Sequence, residues 1–440
     1  MPELRAAVGV AIFVGVAWVL SSHKRRFPVR VVVGGLALQL GLAALVLGWT
    51  PGQQYLQAFA GGLVDLLNYA VKPPAETLFG ALGTGDPTSS VGFAFAFAGT
   101  GLVAIIFFST LLAILYYLKI MPAIVWAFGL VLKRALGVSG AEAMASAANV
   151  CVGQTEAPLA IRPYLDKLTR SELMAVMTGG FATIAGSVLV IYIGLIGGAA
   201  PQLANIGGDF LAASIMSAPA ALLIAKVMVP ETGTPETARA VSFREAVRGD
   251  GRNANLIDAA TTGAREGLFL YLNVVAMLLA FTALVLAVNW GLKGVHFSVG
   301  GWTVREGDLT LQTIFGYLLA PAAWAIGVAW ADCQAVGSLL GIKITTNEFV
   351  AMDQMSQLLT AEPAAGAASA VGAFQDPRSA RLAVYALCGF ANFASIGIQI
   401  GGISSLAPGR KSELAKLGLR AMVGGAMASW MTAAVAGLFI

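Results

Sequence analysis

Residues Asn149–Leu165 read NVCVGQTEAPLAIRPYL, and this stretch decides the fold. It is apolar enough for the membrane interior, yet Gln154, Thr155 and Glu156 stand at its centre and two prolines follow. A plain spanning helix needs about 20 predominantly apolar residues. An acid in the bilayer core costs about 2.5 kcal/mol or more, so it faces protein or water. Irregular backbone at that depth is tolerated only under the same shelter. Four stretches carry polar residues or glycines at their centres: Ala143–Leu165, Met174–Gly197, Ala331–Leu359 and Leu382–Ser404. Such stretches are expected of re-entrant hairpins and broken helices around a solute site.

The rest of the chain agrees. Of 440 residues, 58% are hydrophobic and 11% charged, too few charges to cover a soluble body of this size. The 52 glycines suit closely packed membrane helices, and a net charge of +4 spread over loops argues against a nucleic-acid groove. Plain spans are expected at Ala6–Leu20, Val31–Trp49, Phe93–Leu118, Phe210–Val229, Leu268–Trp290 and Ala421–Ile440. Gln53–Ala70 mixes Gln, Asp and Asn with Leu and Phe, as in a helix lying along the interface. The first span precedes SSHKRR at Ser21–Arg26 rather than a cleavage site, so it reads as a retained helix. By the positive-inside rule, Lys24, Arg25, Arg26 and Arg30 face the cytoplasm and the N-terminus lies outside. The same rule places inside the stretch Glu231–Arg265, with Arg239, Arg244, Arg248, Arg252 and Arg265, and the loop holding Arg410, Lys411, Lys416 and Arg420. The loop Lys293–Asp308 then lies outside. Cys151, Cys333 and Cys388 read as small packing residues, and His23 and His296 make no zinc site with them.

Order carries further information. NVCVGQTEAPL precedes the glycine-interrupted MTGGFATIAGSVLV and a plain span; KITTNEFVAM precedes GFANFASIGIQIGG and another plain span. Two such triplets, entered from opposite sides, read as an inverted repeat. The acids Glu156 and Glu348 occupy corresponding places, beside Gln154 and Asn347. Each reads as a ligand contact or proton site, against the alternative of a buried structural carboxylate. Asn392 and Ser395, three residues apart, share a helix face or flank a break. Gln399 reads as a further contact or as the cap of a broken helix, and Phe390 and Phe393 as core packing or an aromatic floor for a flat ligand. Asn149, Val152, Thr183 and Ile184 offer oxygens to a hard cation. Gly153 would permit the turn, and Gly179, Gly180 and Gly186 would weaken the helix around Thr183.

These motifs resemble the concentrative nucleoside transporter family. NVCVGQTEAPLAIRPYL is similar to its first re-entrant hairpin, TNEFVA to its second hairpin tip, GFANFASIGIQIGG to its second broken helix, and ANLIDAATTGAREG to the segment leading into the span between the repeats. The resemblance runs from about Gly92 to the C-terminus. It implies an all-α polytopic membrane protein of about eight transmembrane helices plus two re-entrant helical hairpins, with an inverted repeat and discontinuous helices, assembled as a homotrimer. Residues 1–120 would form scaffold helices and 121–230 the first repeat of a mobile core. Residues 231–308 would hold a cytoplasmic interfacial segment and a central scaffold span, and 309–440 the second repeat. Gln154, Thr155, Glu156 and Val188 would meet the nucleobase; Glu348, Asn392 and Ser395 would bind ribose over Phe390, with Asn347 in support. Asn149, Val152, Thr183 and Ile184 would bind sodium, Thr183 keeping the hydroxyl of the serine common in relatives.

The expected function is sodium-coupled nucleoside uptake across a bacterial inner membrane by alternating access. Proton coupling is the nearest rival, through Glu156 or Glu348. A membrane-embedded enzyme and a passive channel are further readings. The chain carries no HExxH, GxSxG or paired metal ligands for the former, and two acidic hairpin tips suit binding better than fast conduction.

Overall fold

The computed structural model describes residues 2–79, 103–200, 203, 206–238, 254–293, 297–299, 302–304, 309–361 and 371–440. The chain opens with α1 (Pro2–Val19), α2 (Val29–Ala43, continued by a π-helical turn Ala44–Gly48), α3 (Thr50–Ala70) and α4 (Lys72–Phe79). Helices α5 (Val103–Tyr117) and α6 (Ile120–Leu136) meet at a 79° bend, and Lys119 turns that corner with φ of 64°. The first hairpin is α7 (Gly140–Asn149) and a 3-10 segment Ala157–Lys167; the broken helix α8 (Arg170–Ala182) and α9 (Gly186–Ala199) and the span α10 (Ile206–Met228) follow. After α11 (Leu256–Leu292) and a short antiparallel pair, β1 (Phe297–Val299) and β2 (Trp302–Val304), comes α12 (Leu311–Ile326). The second hairpin is α13 (Cys333–Thr345) and α14 (Glu348–Thr360), then the broken helix α15 (Pro377–Leu387) and α16 (Phe393–Leu406) and the span α17 (Lys411–Ala436).

Hydrogen bonds fix which end of the bundle each hairpin enters. Gly140 N donates to Thr237 O and Lys167 pairs with Glu236 at 2.8 Å, so the first hairpin begins and ends beside the segment after α10. The same end receives the α1–α2 turn, where Ser22 N donates to Met228 O, and Arg410, whose guanidinium donates to Leu168 O. The second hairpin begins and ends at the other end: Asp332 accepts from the backbone N–H groups of Gln375 and Asp376, and Arg378 reaches Gly327 O and Ile440 O. The two hairpins therefore enter from opposite ends, as an inverted repeat requires. The basic turn 22–30 and the basic stretch 410–420 lie together at the first end, beside residues 231–238, while Arg5 of α1 contacts Val328 O at the second.

Local chemistry explains the starts of these elements. Ser139 and Glu142 form a capping box on α7, and Thr169 and Glu172 form another on α8, each satisfying first-turn N–H groups that would otherwise be orphaned. Asn347 and Asn392 cap α14 and α16 through Val350 N and Ser395 N. The break before α16 needs glycine at 389. Its φ is +142°, and a Cβ there would lie 2.8 Å from Phe181 O and 2.9 Å from Ala182 O.

Several boundaries differ from expectation. By length and composition alone, three stretches among the described residues can each cross a bilayer: Val29–Gly48, Arg170–Ala199 and Ile206–Met228. The helix read as Leu268–Trp290 begins at Leu256, capped by Asn255 through Asp258 N, so the end of the expected polar loop is helical. The last span begins at Lys411, ten residues early, and carries Lys411, Lys416 and Arg420 on its first turns. Helices α6 and α12 have no counterpart among the expected spans. Residues 93–102 of the third expected span, Arg239, Arg244, Arg248, Arg252, His296 and Arg305 lie outside the described residues.

Candidate solute and cation site

The two hairpin tips and both helix breaks converge in the interior. The first tip joins the first broken helix where Gly186 N donates to Cys151 O at 3.2 Å, and the two breaks join where Phe390 N donates to Thr183 O at 3.3 Å. Polar side chains knit the same region. Glu348, only 5% exposed, is the first residue of α14, with its Oε2 accepting from Asn392 Nδ2 at 3.0 Å and its Oε1 from Tyr192 OH at 3.4 Å. Asn392 Oδ1 caps Ser395 N, Ser395 Oγ accepts from Gln154 Nε2 at 3.1 Å, and Gln154 Oε1 accepts from Gln399 Nε2 at 3.0 Å. One network thus runs from the second hairpin through the second break to the first hairpin tip. Two residues beyond Gln154, Glu156 is exposed and its Oε1 accepts from Thr155 Oγ1 at 2.9 Å.

The expected residues sort by this geometry. Gln154, Glu348, Asn392 and Ser395 share the network; Thr155 and Glu156 stand at its open edge; Val188 is buried one turn before Tyr192 on α9. Asn347 positions Glu348 by capping α14 rather than by touching it. Phe390 is half-buried against the core, whereas Phe393 is 51% exposed and so is not a core residue. Gln399 is buried and caps no helix end; its amide donates to Met177 O and holds Gln154. Tyr192 was absent from the sequence-based set, although it lies four residues after Val188 and so shares its helix face.

The glycines act differently from expectation. Gly179 and Gly180 lie within continuous α8, not at its break. They provide room: a Cβ on Gly179 would come within 3.1 Å of Asn149 Nδ2, and one on Gly180 within 2.6 Å of Gln399 Nε2 and 2.9 Å of Gln154 Cβ. Gly153 does not use a positive φ; a Cβ there would sit 2.3 Å from Glu156 Oε2.

The cation residues gather where α7 ends against the end of α8. Asn149 is 1% exposed, and neither its Oδ1 nor its Nδ2 has a hydrogen-bond partner among the described residues. A buried polar side chain left unpaired is costly, and an oxygen donor there fits a hard cation such as sodium. Thr183, extended at the break with φ −117° and ψ 166°, donates its hydroxyl to Gly179 O and keeps lone pairs free. Val152 and Ile184 are buried and lie outside the regular helices, at the tip and at the break respectively.

Family comparisons match this architecture along nearly the whole chain. The model described as Na+ dependent nucleoside transporter C-terminus matches residues 209–437, its N-terminus counterpart residues 8–80, and a nucleoside recognition model residues 98–199. The chain belongs to the Na+ dependent nucleoside transporter family. This transporter is 39% identical to the nucleoside permease NupC of Helicobacter pylori, an alignment covering 100% of this chain and 98% of that one. It is 38% identical to sodium/nucleoside cotransporter 1 of Rattus norvegicus, over 99% of this chain and 64% of the relative. The solved structure of CNTnw in an inward-facing substrate-bound state matches with a TM-score of 0.86 at 39% identity, covering 100% of this chain and 98% of that one. CNTnw variants match in an outward-facing state at 0.86 and in an intermediate state at 0.84. The transporter is thus an all-α, multi-pass membrane protein with re-entrant hairpins, and the enzyme reading falls away.

Proposed function

We propose that this transporter is a sodium-driven symporter that concentrates nucleosides across a bacterial inner membrane by alternating access. One observation carries the reading: a buried polar network joins both hairpin tips to the second helix break, beside an unpartnered Asn149 at the first. Nucleosides pair a flat base with a hydroxyl-rich sugar. In this reading Glu348, Asn392 and Ser395 hold the ribose over Phe390, Asn347 fixes the start of α14, and Gln154, Thr155, Glu156 and Val188 face the base. A site built to bond hydroxyls rejects analogues that lack them, because its buried polar groups are left unpaired.

Sodium is held by Asn149, Val152, Thr183 and Ile184. It stiffens the Gln154–Glu156 turn and so favours the nucleoside, and the linkage is reciprocal. One charge crossing 100 mV contributes about 2.3 kcal/mol, enough for roughly fifty-fold accumulation. The repeats 121–230 and 309–440 supply the moving core, and the pairing of α5 with α11 supports a scaffold role for both. The clustering of basic loops at one end supports a cytoplasmic assignment for that end and an N-terminus outside. The homotrimer is supported by the family resemblance, and the mass of the detergent-solubilised complex tests it.

Uptake of radiolabelled uridine into proteoliposomes tests the coupling, with sodium and pH varied separately. Sodium coupling predicts loss of concentrative uptake when choline replaces sodium at fixed pH. Undiminished uptake in choline, with collapse on adding a protonophore, overturns sodium in favour of protons.

A further inference from the structure

Lys343 is not used by the transport reading above, yet it is one of the largest fully buried side chains, 1% exposed in the last turn of α13. Among the described residues its ammonium donates to Ala386 O at 3.0 Å, in the last turn of α15. A buried ammonium is costly unless compensated. The compensation is close by. Glu348 begins α14 five residues on, across the hairpin tip, and reaches the opposite side of the same helix break through Asn392, with Tyr192 and Cys388 the titratable side chains nearby among the described residues.

The geometry is a clamp on one helix break. Residues 388–392 separate α15 from α16. Lys343 holds the break at the C-terminal end of α15, where exposed carbonyls give a negative helix end. Glu348 holds it at the N-terminal end of α16, through Asn392. In the first half of the chain, the last turn of α7 meets the last turn of α8, where Asn149 packs against Gly179 and is left unpartnered. Lys343 therefore takes, on the second broken helix, the place that corresponds to the proposed cation pocket on the first.

We propose that Lys343 is a tethered cation that caps the end of α15 and positions Glu348 as a charged acceptor for the ribose hydroxyls. The proposal rests on the reading of Glu348 as a sugar contact, and Lys343 is a positioning residue rather than a contact of its own.

The test is a double-mutant cycle of Lys343→Met and Glu348→Gln in the full-length purified transporter, read first by melting temperature in detergent. Each single change leaves one buried charge without its partner, so the double variant is expected to melt above the value obtained by adding the two single losses. Additive losses overturn the pairing. If Lys343→Met alone does not yield folded protein, recovery of folded protein on adding Glu348→Gln supports the proposal, and failure to recover it overturns it. Transport gives the second readout where Lys343→Met folds. Its uridine KM is expected to rise at least tenfold, with the rate at saturating uridine and the sodium dependence at saturating uridine retained; an unchanged KM overturns the positioning role. The melting cycle requires no nucleoside. Failure of the sugar-contact reading, seen as normal uridine uptake by Glu348→Gln, is therefore distinct from failure of the pair.

Discussion

Asn392 donates from Nδ2 to Oε2 of Glu348 across 3.0 Å, joining the tip of the second hairpin to the break in the second discontinuous helix. The same asparagine caps α16, so the position of the acid and the start of that half-helix depend on one side chain.

Replacing Glu348 with Gln removes a charged acceptor and can set an amide donor against Asn392 Nδ2. Hydrogen bonds to charged groups contribute about 1.5–3 kcal/mol each. The expected outcome is a fall in kcat/KM for uridine of about 100-fold or more, measured by initial-rate uptake in proteoliposomes.

A side chain at Gly153 is predicted to push Glu156 aside, because a Cβ would lie 2.3 Å from Glu156 Oε2, the movable end of an exposed side chain. Gly153→Ala should displace the acid at the first tip and raise the uridine KM by about tenfold or more. Gly180→Ala, which crowds Gln399 and Gln154, should do the same from the other side. Uptake kinetics check both.

The cation pocket predicts a different signature for Asn149→Ala. Removing this buried side-chain oxygen, which has no hydrogen-bond partner among the described residues, should raise the sodium concentration for half-maximal uptake while saturating sodium restores much of the rate. Sodium titrations of uridine uptake at fixed pH measure this directly.

Stability should depend on a buried cluster away from the site. Arg381 pairs with Asp209 through two 2.8 Å contacts, and Tyr385 OH donates to the same carboxylate at 2.9 Å. Arg381→Met leaves Asp209 buried without its countercharge, a change that typically costs about 3–5 kcal/mol. A clear drop in melting temperature is expected, smaller in Arg381→Met/Asp209→Asn.

The parts of this fold legible in the sequence were those where polarity conflicts with depth. Gln154, Glu156, Glu348 and Asn392 stand out because acids and amides are costly in apolar segments, and the helix breaks fall in the stretches that carry them. Partners were not legible, because they depend on which helices meet. Tyr192 is not singled out by any motif, and its role appears only where α9 packs against the second hairpin. Lys343 stands in the second hairpin motif KITTNEFVAM, but nothing in the motif shows that α13 buries it against α15. The glycines of α8 suggested a weak helix, but the helix is continuous and they mark where Asn149, Gln154 and Gln399 press against it. The ends of α11 and α17 were missed because the charged residues of a long helix's first turns resemble a loop.

Competition of radiolabelled uridine uptake by uridine and by 3′-deoxyuridine bears most directly on the sugar site formed where the hairpins meet. The account predicts that the deoxy compound inhibits the wild-type transporter at least about 100-fold more weakly, and that any residual uptake by Glu348→Gln no longer distinguishes the two. Equal inhibition of the wild type by both compounds would contradict it.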